Sequence, residues 1–180
     1  MMYLLNLKRY FVFLICCLTL SSTQLRAEDS VLDDIKSVYI YNFLSFISWP
    51  EDKQLPNDKY QLCVVGNPSL KSKLESVVKN ELVNNLPIHV SSVEALNSLN
   101  ECHVVYIDRR ELLSKSELES IKSNGGLLVG DYSGFISSDI GMIGFETRGR
   151  KVRVAMKLDV LQAEGFKVSS KLLRVVRIEK

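Results

Sequence analysis

The chain has 180 residues, with 23 Lys and Arg against 21 Asp and Glu, a formal net charge of +2. That near balance argues against a nucleic-acid stripe or a polybasic membrane surface, both of which need clustered excess Lys and Arg. The length suits one domain able to bury most of its apolar surface.

The first segment in chain order is an export signal. Lys8 and Arg9 precede an unbroken apolar run over residues 10–18, and Ser21-Ser22-Thr23-Gln24 and Leu25-Arg26-Ala27 follow it. A charged, then apolar, then small-residue succession is that of a secretory signal peptide, with cleavage expected after Ala27. The run is about half of the ~20 residues a spanning helix needs, which weighs against a permanent anchor. Bulky Ile15 weighs against acylation of Cys16. Residues 1–27 are therefore read as signal peptide and 28–180 as the working domain. Lys8, Arg9 and Arg26 leave with the signal, so 20 basic residues face 21 acidic ones and the charge becomes −1. An exported domain is removed from cytosolic ATP and NAD(P)H, which disfavours chemistry that consumes them.

The working domain opens with a helix. From Asp33, read as an N-cap, Ile35, Val38, Tyr39, Asn42, Phe43, Phe46 and Ile47 recur at three- and four-residue steps until Trp49-Pro50. Tyr39, Tyr41, Phe43, Phe46 and Trp49 are more aromatics than one core-facing stripe requires. Two readings stand: a core helix with a Trp plug, or Tyr41 or Trp49 turned outward into a partner or ligand cleft. Next comes a strand over residues 60–65, ended by Gly66-Asn67-Pro68, and a helix carrying Leu70, Leu74, Val77 and Val78 on one face. A strand at 88–90, a short helix at 93–99, a strand at 104–107 closed by Asp108, and a helix at 112–121 ended by Asn124-Gly125-Gly126 lead into a strand at 127–129. Strands alternating with helices imply parallel pairing with crossover helices, and their unbroken apolar character fits a sheet buried on both faces. The pattern then changes. Residues 141–146 and 151–156 flank Thr147-Arg148-Gly149-Arg150, a hairpin with Gly in the turn. A helix from Val160 toward Glu164, stopped by Gly165, and a last helical segment at 169–176 complete the chain. The expected fold is α/β: a single compact domain whose central, mostly parallel, Rossmann-like sheet is flanked by helices, with a C-terminal β-hairpin.

Cys16 and Cys17 leave with the signal, and Cys63 and Cys102 remain. In an oxidising compartment the pair can bridge, closing a loop of about 40 residues worth roughly 3–4 kcal/mol in the chain-entropy model. The alternative is a redox switch, which needs an exposed thiol of low pKa; the surrounding Leu62-Cys63-Val64-Val65 favours burial.

Chemistry-bearing motifs are sparse. There is no G-x-G-x-x-G, no G-x-x-x-x-G-K-[ST], no C-x-x-C, no H-E-x-x-H and no G-x-S-x-G. His89 and His103 lack a neighbouring ligand cluster of the kind zinc requires and are read as buried, hydrogen-bonded residues. Asp131 ends the strand Val129-Gly130-Asp131. It is read as a turn or helix cap, against a ligand-facing role beyond the carboxyl end of a parallel strand. No catalytic residue, metal or cofactor is expected, and the domain is read as a non-enzyme.

Six short motifs occur in a familiar order: Tyr41-Asn42-Phe43 through Trp49-Pro50, Leu62-Cys63-Val64-Val65-Gly66, Cys102-His103-Val104-Val105-Tyr106-Ile107, Leu128-Val129-Gly130-Asp131, Gly141-Met142-Ile143 and Ser169-Ser170-Lys171-Leu172-Leu173. In this the mature chain resembles the YfiR family of bacterial periplasmic proteins. The resemblance implies a compact α/β fold, a periplasmic location and a regulatory role. Such a regulator represses an inner-membrane diguanylate cyclase by binding its periplasmic domain, so that cyclic di-GMP and biofilm formation fall. It implies a structural disulfide between Cys63 and Cys102; the second, redox-responsive pair of some members has no cysteines here. Two departures stand out: Ile140-Gly141-Met142-Ile143 replaces Gly-Gly-Met-Ile, and Met156-Lys157 replaces Ile-Asn. A binding repressor needs aromatic or aliphatic anchors. Tyr39, Tyr41, Phe43 and Trp49 are candidates, as are Phe135, Ile136, Ile140 and Met142, with the 135–142 loop first because recognition concentrates in loops. The alternative function is a periplasmic sensor of a small molecule, a nucleotide or cell-wall fragment, reporting to another membrane receptor. A second copy of the chain is a further partner to consider, and nucleic acid is not.

Overall fold

The computed structural model describes residues 22–53, 55–92, 96–108 and 113–179. Most of the segment read as a signal peptide, the start of the short helix expected at 93–99 and Leu112 lie outside them.

Helix α1, Ser22–Phe46, runs into strand β1, Ile47–Ser48. Strand β2 is Tyr60–Val65 and helix α2 is Pro68–Val77. Asn67 caps α2 by accepting the Leu70 N–H at 2.9 Å, and Pro68 sits where no intrahelical donor is needed. Strands β3 (Leu82–Val83) and β4 (Leu86–Ser92) are followed by a 3₁₀ helix, Leu96–Glu101, and strand β5, Val104–Ile107. Helix α3, Lys115–Ser123, opens on a capping box between Ser114 and Glu117. Then come β6 (Leu127–Gly130), the hairpin of β7 (Ile143–Arg148) and β8 (Lys151–Lys157), and α4 (Leu158–Ala163). Strand β9 (Lys167–Val168), helix α5 (Ser170–Leu173) and strand β10 (Arg177–Glu179) end the chain.

The main sheet has the order β10-β8-β7-β6-β5-β2-β4-β3. Strands β4, β2, β5, β6 and β7 run parallel to one another; β3 is antiparallel to β4, β8 returns antiparallel to β7, and β10 lies parallel to β8. The expected mixed α/β sheet and hairpin are present. Within it the parallel strands follow the flavodoxin-like sequence of doubly wound sheets: the second lies on one side of the first, the third and fourth on the other. The chain therefore reverses direction across β2. Right-handed crossovers place α2 and α3 on opposite faces, and α1 packs along α2. Strands β2, β5 and β6 are buried almost throughout, as expected for a sheet covered on both sides.

Several details differ from the sequence reading. Asp33 is not an N-cap, because α1 begins at Ser22 and carries Asp33 inside it. The buried face of α1 is Leu32, Asp33, Lys36, Ser37, Ile40, Phe43 and Leu44, continued by Ile47 of β1, while Val38 is 48% exposed. The stripe is thus rotated from the one hydrophobicity alone suggests, because three polar residues occupy the inward face. The C-terminal segment is helical only over Ser170–Leu173, and Arg177–Glu179 pairs with β8 instead. His103 is buried, but His89 is exposed on β4. Cys63 and Cys102 are bridged, with Cα atoms 6.0 Å apart and both residues buried, tying β2 to the residue that leads into β5.

Candidate functional site at the strand ends

The reversal of direction leaves a gap between the carboxyl ends of β2 and β5, the place where open α/β sheets bind ligands. Gly66 and Asn67 leave β2 here, Gly66 with a φ of +86° that suits glycine. Asp108 follows β5 and Asp131 follows β6. Backbone pairing runs one residue past each strand, Asp108 N–H to the Val65 carbonyl (3.1 Å) and Asp131 N–H to that of Ile107 (2.9 Å). The two carboxylates are thereby set on adjacent strand ends.

Beneath them lies Tyr106, 1% exposed. Its hydroxyl donates to Asp131 Oδ2 at 2.7 Å and lies 3.3 Å from Asp108 Oδ1; having one proton, it bonds chiefly to Asp131. Burial, and next the Asp131 charge, push the Tyr106 phenol far above its ordinary value of 10. The group is a permanent hydrogen-bond donor, not a nucleophile. From α1, Lys36 Nζ reaches the same Asp131 oxygen at 2.5 Å, and each side chain is 9% exposed. Asp131 is therefore not the turn or helix cap expected of it: its carboxylate joins helix to sheet through a buried ion pair. Such a pair is costly to form from solvated charges and far costlier to leave half-made.

A crevice of about 530 Å³ opens beside this ion pair, lined by Asp33, Lys36, Gly66, Asn67, Ser69 and Asp108 among others. Asp33, 4% exposed, accepts a hydrogen bond from Asn67 Nδ2 at 3.2 Å. Sequence reasoning singled out only Asp131 here. Asp33 is read there only as an N-cap and Lys36 is passed over, though charges on the inward face of an otherwise apolar helix are a signal that the correct helical phase exposes.

The other proposed surface residues lie elsewhere. Trp49 is at the opposite, amino end of the strands, where it plugs the sheet. Its Nε1 donates to the His103 carbonyl at 3.2 Å, and its ring meets Tyr60, His103 and Phe166 edge-on at 5.8, 5.8 and 6.0 Å. Tyr41 is half-buried and donates to Glu81 Oε2 at 3.1 Å. Phe135, Ile136, Ile140 and Met142 are not exposed anchors: they are 1%, 8%, 5% and 0% exposed. Their loop folds back onto β6 and β7, where Gly130, Gly141 and Gly144 leave room for it; a Cβ on Gly130 would stand 2.1 Å from the Phe135 ring.

Among the described residues, large apolar side chains are exposed at several places: Val175 (63%) and Ile178 (42%) at the sheet's β10 edge, Val31 and Val38 on α1, and Leu82 on β3 at the other edge. A cleft at the β10 edge is lined by Tyr39, Val152, Val154, Val175 and Val176 together with Arg153, Arg174 and Arg177.

The aromatic box around Trp49 makes a pH prediction. Burial lowers the His103 imidazole from 6.5 to about 4, against a smaller opposing hydrogen bond involving Pro56; the ring's Nδ1 accepts the Gln61 N–H at 3.2 Å. The unfolded chain takes up this proton near 6.5 and the folded protein only near 4, so the neutral ring's stabilisation is complete above 6.5 and is lost as the pH falls between those values. The urea midpoint is expected to drop across that window in the wild type and to lose that portion of its drop in His103→Asn. Identical pH profiles for the two proteins would show the ring to be solvated.

No described helix is long and apolar enough to cross a membrane. Among the described residues, no group of three or more His, Cys, Asp or Glu is placed to hold a metal. A family profile described as YfiR/HmsC-like matches residues 33–177. No curated protein matches the chain. Among solved structures, a conserved domain protein of Vibrio cholerae O1 biovar El Tor strain N16961 is similar at 10% identity with a TM-score of 0.48, over 80% of this chain and 60% of that one. The chain thus spans less than two thirds of that protein's length.

Proposed function

We propose, since this chain belongs to the YfiR/HmsC-like family, that it is exported to the periplasm and there represses an inner-membrane diguanylate cyclase by binding the enzyme's periplasmic domain. The observation that carries the reading is the family match over residues 33–177, which takes in every strand of the main sheet except the last residues of β10. Cleavage after Ala27 would free the domain from its signal. Family membership makes the protein a regulator, so its effect comes from preferential binding: a repressor must favour the inactive enzyme by several kcal/mol to reverse its population.

The face that supports this role is the β10 edge. Val175 and Ile178 present apolar side chains at a strand whose outer backbone is unpaired by the sheet, a combination suited to strand addition or apolar docking. Ile178→Asp and Val175→Asp are expected to reduce repression of cyclic di-GMP synthesis at least ten-fold. Their melting temperatures should stay close to wild type, because exposed substitutions cost within about 0.5 kcal/mol. Full repression by both variants would remove this edge from the interface.

A further inference from the structure

We propose that the outer edge of β8, over residues 151–154, takes an extended segment of the partner protein in which acidic and apolar residues alternate, added to the sheet as a further strand. The inference rests on the reading of the domain as a binding repressor and names the chemistry its partner would bring.

Three observations carry it. The first is a gap in the sheet. Strand β7 pairs with β8 from Lys151 to Met156, whereas β10 covers the other side only from Ala155 to Lys157. In an antiparallel pair every second residue turns its N–H and C=O toward the partner strand. The Lys157 N–H bonds the Met142 carbonyl on the β7 side at 3.0 Å, so Ala155, Arg153 and Lys151 face β7 and Met156, Val154 and Val152 face outward. Met156 lies opposite Ile178 of β10. Val152 lies beyond the end of β10, and among the described residues no strand pairs with its outward N–H and C=O. An open edge of this kind is a template for a strand from another chain.

The second observation is an apolar floor beside the gap. The cleft of about 350 Å³ is lined there by Val152, Val154, Val175 and Val176. Tyr39 closes it from α1, its ring 6.2 Å from that of Phe145, which lies opposite Val154 in the hairpin. A strand added along β8 would lay every second side chain on this floor.

The third is charge. The alternation and the register place Arg148, Lys151, Arg153 and Arg177 on the other face, with Glu146 and Glu179. Arg177 bridges both of those carboxylates. Arg148, Lys151 and Arg153, all exposed, are left with no acidic partner among the described residues. Opposite charges on neighbouring strands attract and like charges repel, so the incoming side chains on this face are acidic. The same cations repel a second copy of this edge, which makes the occupant a different chain.

The test is fluorescence anisotropy on the purified, disulfide-bridged domain, with a labelled peptide alternating glutamate and valine as the probe and its lysine–valine counterpart as control. The acidic peptide is expected to bind, more weakly as salt rises, and the basic one not to bind. Arg153→Glu should weaken binding about ten-fold, the scale of a charge-assisted contact. Val152→Pro removes an outward N–H that the hairpin does not use and should weaken it about three-fold or more. Lys79→Glu, the same charge change at an exposed site near the sheet's other edge, should leave it unchanged. Near-ultraviolet circular dichroism checks that each variant retains its packing. Absence of binding by the acidic peptide, equal binding of the basic one, or unchanged affinity in folded Arg153→Glu would each overturn the assignment. The same variants are then compared as repressors of cyclic di-GMP synthesis in membranes carrying the cyclase. Repression by Arg153→Glu and Val152→Pro equal to that of wild type would overturn the inference and leave the repressor reading standing. A wild type that binds the acidic peptide and does not repress would remove the cyclase as the source of the segment and uphold the chemistry of the edge.

Discussion

Replacing Lys36 with methionine is expected to destabilise the domain by about 3–5 kcal/mol, the cost of stranding one member of a buried ion pair. The methionine keeps most of the apolar stem but leaves the Asp131 carboxylate, 9% exposed, with the Tyr106 hydroxyl as its remaining partner. The same physics predicts rescue. In Lys36→Met combined with Asp131→Asn, no charge is left to strand, and Tyr106 can still donate to the amide oxygen; most of the lost stability should return. Urea denaturation of the wild type, the single variant and the double variant reads both effects. A single variant within about 1 kcal/mol of wild type would place this pair among solvated surface bridges and would undo the description of a closed polar centre under the strand ends.

Phe135→Ala is the second large effect, expected at about 3–5 kcal/mol from the lost burial and the cavity left behind. The ring is 1% exposed, lies over Gly130 and meets Tyr132 edge-on at 5.2 Å. Gly130→Ala should also destabilise, since its Cβ would stand 2.1 Å from the Phe135 ring. The two substitutions must then be strongly non-additive: once the ring is gone, the added methyl has space, and the double variant should be more stable than the summed penalties allow. Strict additivity in denaturant melts would mean that the loop does not rest where it is described. This result bears on function as well. Phe135→Asp would abolish partner binding by unfolding the loop, so a loss of binding in that variant says nothing about the interface; the exposed Val175 and Ile178 are the informative positions.

The parts of the fold that can be read from the sequence are those where burial is uniform. Tyr60–Val65, Val104–Ile107 and Leu127–Gly130 are buried on both sides, so each shows as an apolar run, and Gly66-Asn67-Pro68 and Asn124-Gly125-Gly126 mark their junctions with helices. The two-residue pair of β1 with β9 has too few residues for any period to appear. Arg177–Glu179 hides because its Val-rich approach, Val175-Val176, fits a weak helix as well as an edge strand. The phase of α1 is misread for a physical reason: Asp33, Lys36 and Ser37 face inward, where hydrophobic periodicity has no means of placing a charge. That failure falls at the crevice, as expected where local rules yield to a polar site. The loop 135–142 is misread for the opposite reason. Its apolar residues resemble exposed anchors until Gly130, Gly141 and Gly144 are seen as the spaces into which they fold.

The most direct test of the regulatory account measures cyclic di-GMP synthesis by inner membranes that carry the cyclase, with the purified domain added to the periplasmic face. The account predicts that synthesis falls as the domain is added, saturates at a defined stoichiometry and recovers when the domain is washed away. Synthesis that stays constant at every concentration of folded, disulfide-bridged domain would contradict it.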